Sequence, residues 1–322
     1  MTATVHHGHI DGFETVVLQN DCLRAVIIPS LGGRVWELLD RPRGRQWIWH
    51  RAGVPLKPVS AGAAYDDVWS GGWEELFPND APGVFEGRDL PDHGEWWTLP
   101  WRVESVRQGT CATLRLTAVS RIVRARCVKE FQLDGHGGTL AVRYSIRSEE
   151  ERPFHFLFKQ HLPLAITPDC QLLLPGGRVS PVDLQFGTLL PRTRGFDWPV
   201  LDSAVRKVDL REVPPASSRL QEFIYVERCP APWCGVHDAA AAATLRMDYD
   251  GPTLPYVWLF LTYGGWRDLY TAVLEPCTNM PKDLAEAVRL QRSARLEPGQ
   301  EFTTFAKVTL GGVELLDTES HQ

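Results

Sequence analysis

The sequence predicts an all-β protein of many antiparallel strands arranged in packed sheets. Three observations carry this prediction. Runs rich in β-branched and aromatic residues recur along the 322-residue chain, most of them bounded by Gly, Pro, Asp or Asn. Turn-forming residues are plentiful, with 27 glycines and 24 prolines. Helical periodicity is almost absent.

Strands are expected, in order, at residues 15–18, 23–28, 113–119, 140–145, 154–159, 256–261 and 302–310. Asp134 followed by the glycines at 135, 137 and 138 marks a hairpin turn, and Pro298-Gly299 marks another. One short helix is expected at 283–290, where Leu284, Ala287 and Val288 are the apolar positions and Pro281 lies just ahead of the cap. The alanine run at 239–243 is too short to assign. Residues 191–215 are turn-rich and read as a long surface excursion. No fixed-period repeat and no low-complexity linker divides the chain, so residues 1–322 are expected to form one domain with two packed sheets. The first ten residues, with His6, His7 and His9, are expected to be a frayed tail.

Composition removes several function classes. The chain is 43% hydrophobic and 23% charged, with a net charge of −6, so no basic field exists to gather nucleic-acid phosphates. The longest apolar stretches fall far short of the ~20 residues that span a bilayer. The start of the chain lacks the pattern of a signal peptide. Seven dispersed cysteines contain no CxxC pair, which disfavours structural zinc and a disulfide framework. A cytoplasmic protein with reduced thiols, no metal, and no nucleic-acid or membrane partner is the expectation.

Three segments hold polar residues that a plain sandwich does not require. The first runs from Gly71 through Trp73, Glu74, Glu75 and Asn79 to Asp80, and continues through Asp92, His93, Trp96 and Trp97. Five of the 12 tryptophans fall between Trp69 and Trp101, mixed with glycines, prolines and carboxylates. Indole faces beside carboxylates and amides suit a sugar, whose C–H face stacks while its hydroxyls find acceptors. The second segment is 154–163. Read as one strand, it puts Phe154, Phe156 and Phe158 on one face and His155, Leu157, Lys159 and His161 on the other. Two imidazoles and an amine on one face favour a pocket, because burying them to no purpose is costly. In the third, Trp266 precedes a strand that ends at Glu275, where a following proline would hold the carboxylate rigid and partly desolvated, as a general base requires.

Together these segments resemble the galactose mutarotase-like family, the aldose 1-epimerases. The family's G-G-x-x-E-L-F-P-N loop stands here at Gly71 to Asn79, and its P-x-H-G turn at Pro91 to Gly94. The H-x-P strand end stands at His161 to Pro163, and the E-P-x-T-x-x-P stretch at Glu275 to Pro281. The sequence departs from the family at 93–97, where Trp97 occupies the place of an arginine that usually follows the first histidine. The resemblance implies a β-supersandwich and a cofactor-free isomerase acting on a carbohydrate. Glu275 would take the proton of the anomeric hydroxyl while His161, protonated, gives one to the ring oxygen. Their mutual attraction would favour that pair of charge states. The remaining candidate substrate-binding residues are His93, Trp73, Glu75, Asn79, Trp96, Trp97, Lys159 and Trp266. The family's substrate-binding aspartate falls by position at Asp248 or Asp250. Two alternatives stay open: a non-catalytic carbohydrate-binding protein on the same scaffold, and a sugar lyase in which Lys159 neutralises a uronate.

Overall fold

The computed structural model describes residues 2–191, 195–203 and 207–316. Three antiparallel sheets account for most of it. Strands Thr4–Ile10, Phe13–Gln19, Leu23–Ile28, Arg34–Asp40 and Arg45–Gln46 follow one another as a five-stranded meander. An eight-stranded sheet runs, in spatial order, Cys170–Leu173, Trp233–Asp238, Ala243–Tyr249, Glu301–Gly311, Thr139–Ser148, Ala125–Asp134, Cys111–Ser120 and Arg102–Arg107. A seven-stranded sheet runs Phe196–Asp197, Arg178–Pro181, Leu220–Glu227, Tyr256–Tyr263, Tyr270–Cys277, Lys159–Leu164 and Glu74–Leu76.

Strand alternation builds the core between the two large sheets. Leu114, Phe131, Val142, Ile146 and Val308 from the eight-stranded sheet join Leu162, Leu164, Leu259, Leu261 and Leu274 from the seven-stranded sheet in one continuous apolar cluster. The eight-stranded sheet leaves its other face to solvent, so Thr139–Ser148 alternates between buried and partly exposed positions. The central strands of the seven-stranded sheet do not alternate in burial; Lys159–Leu164 is buried throughout. Long loops cover its second face, and that covered face carries the polar site.

The helix expected near 283–290 is present as Leu284–Arg289, with the Asp283 side chain accepting from the Glu286 amide at its N-cap. The alanine run forms the turn between Trp233–Asp238 and Ala243–Tyr249. Two expectations are corrected. The amino-terminal residues are not frayed, because Thr4–Ile10 pairs along its whole length with Phe13–Gln19. The segment at 154–163 is two strands, not one. Phe154–Phe156 pairs with Ala294–Leu296, and the chain then shifts sheets before Lys159–Leu164. The break is held by the Leu157 amide donating to the Pro78 carbonyl and the Phe158 amide donating to Thr278 Oγ1. Of the excursion at 191–215, residues 192–194 and 204–206 lie outside the described residues. Its described part includes a small ribbon of Val200–Asp202 with Lys207–Asp209.

Candidate active site

Alternation on neighbouring strands decides which side chains reach the covered face. His161 lies opposite Glu74 in the register, Trp258 lies opposite Glu275, and Lys159 lies opposite Cys277. Successive residues point to opposite faces, so Glu74, Lys159, His161, Trp258, Phe260, Val273 and Glu275 share the loop-covered side. Their neighbours Trp73, Glu75 and Gln160 point into the core between the sheets. Loops complete the site. Tyr65 comes from the single-turn helix Tyr65–Val68, Asp80 from the chain after Asn79, and Asp92 and His93 from a tight turn. His93 holds a left-handed φ of 62°, and Gly94 follows at 66° with its α-carbon so close to the Phe77 carbonyl that a side chain would sit 2.3 Å from the oxygen. Only glycine permits that approach, and it aims the imidazole beside it into the cavity.

These elements enclose a cavity of about 280 Å³ lined by Tyr65, Trp69, Asp80, His93, Lys159, His161 and Glu275 at one end, with aromatic residues at the other. Lys159 Nζ lies 2.5 Å from Asp80 Oδ2 and 3.2 Å from Glu275 Oε1, and 4.3 Å above the Trp258 ring. His161 Nε2 lies 3.4 Å from the same Glu275 oxygen. Glu275 Oε2 is buried and has no hydrogen-bond partner among the described residues. A second chain of contacts approaches His161 from behind. Arg34 pairs with Glu74 at 2.7 Å, the Tyr65 hydroxyl donates to Glu74 at 2.5 Å, and its oxygen lies 3.3 Å from His161 Nδ1. Because the Tyr65 proton is committed to Glu74, its oxygen must accept, which assigns the proton of a neutral His161 to Nδ1 and leaves Nε2 as a lone pair toward Glu275. His93 stacks on Tyr65 at 3.9 Å, and its Nδ1 pairs with Asp92 at 2.8 Å.

The electrostatics separate the two imidazoles. Burial, then Lys159, His93 and Arg34, drive the His161 pKa well below its ordinary value, so it is neutral. Burial also opposes the His93 cation, but the Asp92 hydrogen bond and the nearby Asp80 outweigh it and raise the pKa. The rings are 6.1 Å apart, and one proton is therefore held on His93 rather than shared. The imidazolium expected at His161 is opposed first by its burial and then by the Lys159 cation beside it. Burial lifts the Glu275 carboxyl to about 7, with Lys159 pulling it down and Asp80 pushing it up. Lys159 itself is held charged, since Asp80 and Glu275 overcome its desolvation and raise its pKa.

Of the residues anticipated from sequence, His93, Lys159, His161, Glu275 and Trp266 line the cavity. The others stand behind it. Trp73 is in the main core and donates to Gln160 Oε1 at 2.8 Å. Glu75 is locked to Lys129 and accepts from Tyr144 at 2.6 Å, between the sheets. Asn79 ties the loop together by donating to the carbonyls of Ala81 and Pro91. Trp96 packs on Phe77, Trp101 and Phe158 in the core. Trp97 lies edge-on to Tyr65 at 4.9 Å, one layer beneath the cavity wall. Asp248 and Asp250 belong to the eight-stranded sheet and its following turn, away from this site. His155 sits apart on its ribbon, 2.9 Å from Ser293 Oγ. Trp69, Asp80 and Asp92 lay in the first segment without being singled out as site residues, and Tyr65, Phe186, Phe223 and Phe260 were missed. Alternation alone would have put Phe260 on the face of Glu275 once the two strands were paired. Nothing local marked Tyr65. Among the described residues no three His, Cys, Asp or Glu side chains are grouped to hold a metal ion.

No family model matches the sequence, and no curated protein does. Solved structures do match. A protein of Synechocystis sp. PCC 6803 is 15% identical, with 96% of each chain covered and a TM-score of 0.68. A galactose mutarotase-like protein from Clostridium acetobutylicum is 12% identical, with 96% of this chain and 99% of that one covered and a TM-score of 0.64. A galactose mutarotase related enzyme from Lactobacillus acidophilus is 13% identical, over 92% and 97% of the chains, with a TM-score of 0.61. The fold is the galactose mutarotase-like sandwich.

Proposed function

We propose that this chain, folded as a galactose mutarotase-like sandwich, is an aldose 1-epimerase-like isomerase that interconverts the α and β anomers of a free sugar. The observation that carries the reading is the convergence of Glu275, His93, His161 and Lys159 on one cavity, with the Glu275 carboxyl raised to about 7 and one of its oxygens unpartnered. Glu275 Oε2 accepts the proton of the anomeric hydroxyl. As the C1–O5 bond breaks, the ring oxygen takes a proton from His93, the imidazole that the surrounding carboxylates keep charged. The C1–C2 bond turns, and the hydroxyl attacks the other face of the aldehyde with the two proton transfers reversed. Lys159 keeps enough of Glu275 ionised near neutral pH to begin the cycle. Neutral His161 presents its Nε2 lone pair to a sugar hydroxyl and is held in that tautomer by Tyr65 and Glu74. Each positioned proton transfer contributes roughly 10²–10⁴-fold.

Polarimetry on freshly dissolved α-anomers tests the proposal. The native protein should speed equilibration over buffer, and Glu275→Gln should remove about 10²-fold or more of that acceleration while keeping the native circular dichroism. Sugar binding with no acceleration in the native protein would sink the catalytic reading and leave a carbohydrate-binding protein on the same scaffold.

A further inference from the structure

The cavity has two unlike ends. Opposite the catalytic cluster, Phe186, Phe223, Phe260 and Trp266 form a half-buried aromatic wall with Phe260 at its centre. Its ring centroid is 5.5 Å from Phe186, 5.7 Å from Phe223 and 5.2 Å from Trp266. The wall is fixed to the sheet, since Phe223 and Phe260 are register partners and Phe260 faces Val273, two residues before Glu275. Two residues along a strand and one strand across place the α-carbons of Phe260 and Glu275 about 8 Å apart, so a ring seated with its anomeric carbon at Glu275 can set another edge against the wall. Around the cavity stand five carboxylates, Asp66, Asp80, Asp92, Asp183 and Glu275, against the ammonium groups of Lys159 and Lys282. Lys159 is already held by Asp80 and Glu275, and among the described residues no arginine lines the space.

We infer that the site selects an uncharged sugar whose end remote from the anomeric carbon is apolar, a 6-deoxyhexose, and that it rejects phosphorylated and acidic sugars. The inference takes from the proposed function the seating of the anomeric carbon at Glu275, and adds that the C5 substituent, rather than the C3 and C4 hydroxyls, is the group turned toward the wall. A methyl group on C5 then meets the aromatic wall and is removed from water at no polar cost. A hydroxymethyl group in the same place turns its oxygen toward ring faces and loses a hydrogen bond. A phosphate or a C6 carboxylate finds no bidentate arginine among the described residues and, beyond Lys159, only the exposed Lys282, set against the carboxylates of Asp183 and Asp66. The cavity, at about 280 Å³, is also at the lower edge of ordinary ligand pockets and suits one ring.

Binding is measured by ligand-observed NMR titration on Glu275→Gln, so that the result does not depend on turnover. Each hexose is compared with its own 6-deoxy form: D-galactose with 6-deoxy-D-galactose, D-glucose with 6-deoxy-D-glucose, and L-mannose with 6-deoxy-L-mannose. D-glucose 6-phosphate and D-glucuronate serve as anionic probes. At least one 6-deoxy sugar should bind about tenfold more tightly than its parent, the size expected when a hydroxyl is buried without a partner, and the anionic probes should not compete. Phe223→Asn, or Phe186→Gln should the first variant fail to fold, gives the wall a hydrogen-bond partner and should cut that preference severalfold. Equal affinity for every parent and deoxy pair, competition by the phosphate, or no binding of any sugar overturns the inference. Preference for a deoxy sugar in a protein that fails the polarimetry test upholds the subsite and defeats only the catalytic reading.

Discussion

Replacing Lys159 by methionine tests whether this ammonium group governs Glu275. The two groups are 3.2 Å apart, and their side chains are 1% and 2% exposed, so little solvent screens them. At an effective dielectric of roughly 20, unit charges at that distance attract by about 5 kcal/mol. That figure is an upper bound on what the cation contributes to keeping Glu275 ionised, because Asp80 shares the same ammonium group. Charged neighbours at such distances usually move a carboxyl by roughly 1–3 pH units. Removal of a positive neighbour favours the neutral form, so the shift is upward, and the Asp80 repulsion left behind acts in the same direction. The acidic limb of kcat/KM for mutarotation, near pH 7 in the native protein, should therefore move to about pH 8–10. His93 must keep its proton while Glu275 loses its own, so the limbs cross and the maximum rate falls by about ten- to thousandfold. The assay is polarimetric kcat/KM across pH, with circular dichroism on the same samples. Lys159→Met combined with Asp80→Asn removes the residual repulsion and should bring the limb part of the way back. An acidic limb that stays near pH 7 in Lys159→Met, or moves down, would refute the electrostatic account of the site.

The two histidines should separate in the same assay: His93→Gln should abolish the alkaline limb, and His161→Gln should lower the rate while keeping that limb. A swap of those outcomes would return the acid role to His161. Thermal stability should carry a signature of Glu275, whose folded value is raised from 4.5 to about 7. A raised carboxyl favours the fold below its unfolded value, and the contribution of about 3 kcal/mol is lost as pH rises through 7; denaturant titrations of Glu275→Gln should lack this decline. Between the sheets, Lys129→Met strands the buried Glu75 carboxylate and should cost about 3–5 kcal/mol in urea unfolding. Adding Glu75→Gln should recover part of the loss, whereas full independence of the two changes would show that the pair does not interact.

Much of the sheet framework was legible because strands with one solvated face write a period of two into the sequence. Residues 140–145 and 302–310 fall within two long strands of the eight-stranded sheet, where Val142 and Ile146 are buried and Arg143 and Arg147 are not. Strands covered on both faces lose that signal. Leu220–Glu227 went unrecognised for this reason, and the run at 154–163 looked continuous although its hydrogen bonds change partners at Leu157 and Phe158. The site was legible where it depended on strand residues with chemistry, namely Lys159, His161 and Glu275, although His161 and Glu275 lie within Lys159–Leu164 and Tyr270–Cys277 rather than at the strand ends expected. It was not legible where it depended on burial and charge balance, because the state of His161 is set first by its burial and then by Lys159, His93 and Arg34, residues spread over 125 positions of the chain.

The tryptophan cluster shows how composition misleads when burial is unknown. Indoles among glycines, prolines and carboxylates read as a sugar platform, yet Trp73, Trp96 and Trp101 belong to the core. The Trp96 indole packs with Phe77, Phe158 and Trp101, so the loops between strands supply bulk to the core. Trp69 alone of the five lines the cavity, with Trp97 supporting Tyr65 from below. The aromatic surface open to a ligand comes mainly from phenylalanines 186, 223 and 260, two of them on regular strands and spaced too far apart in sequence to look like a cluster. A tryptophan in a loop thus carries the ambiguity that a phenylalanine on a paired strand does not. Pairing fixes which face the strand residue occupies, and here that face is the one that holds Glu275.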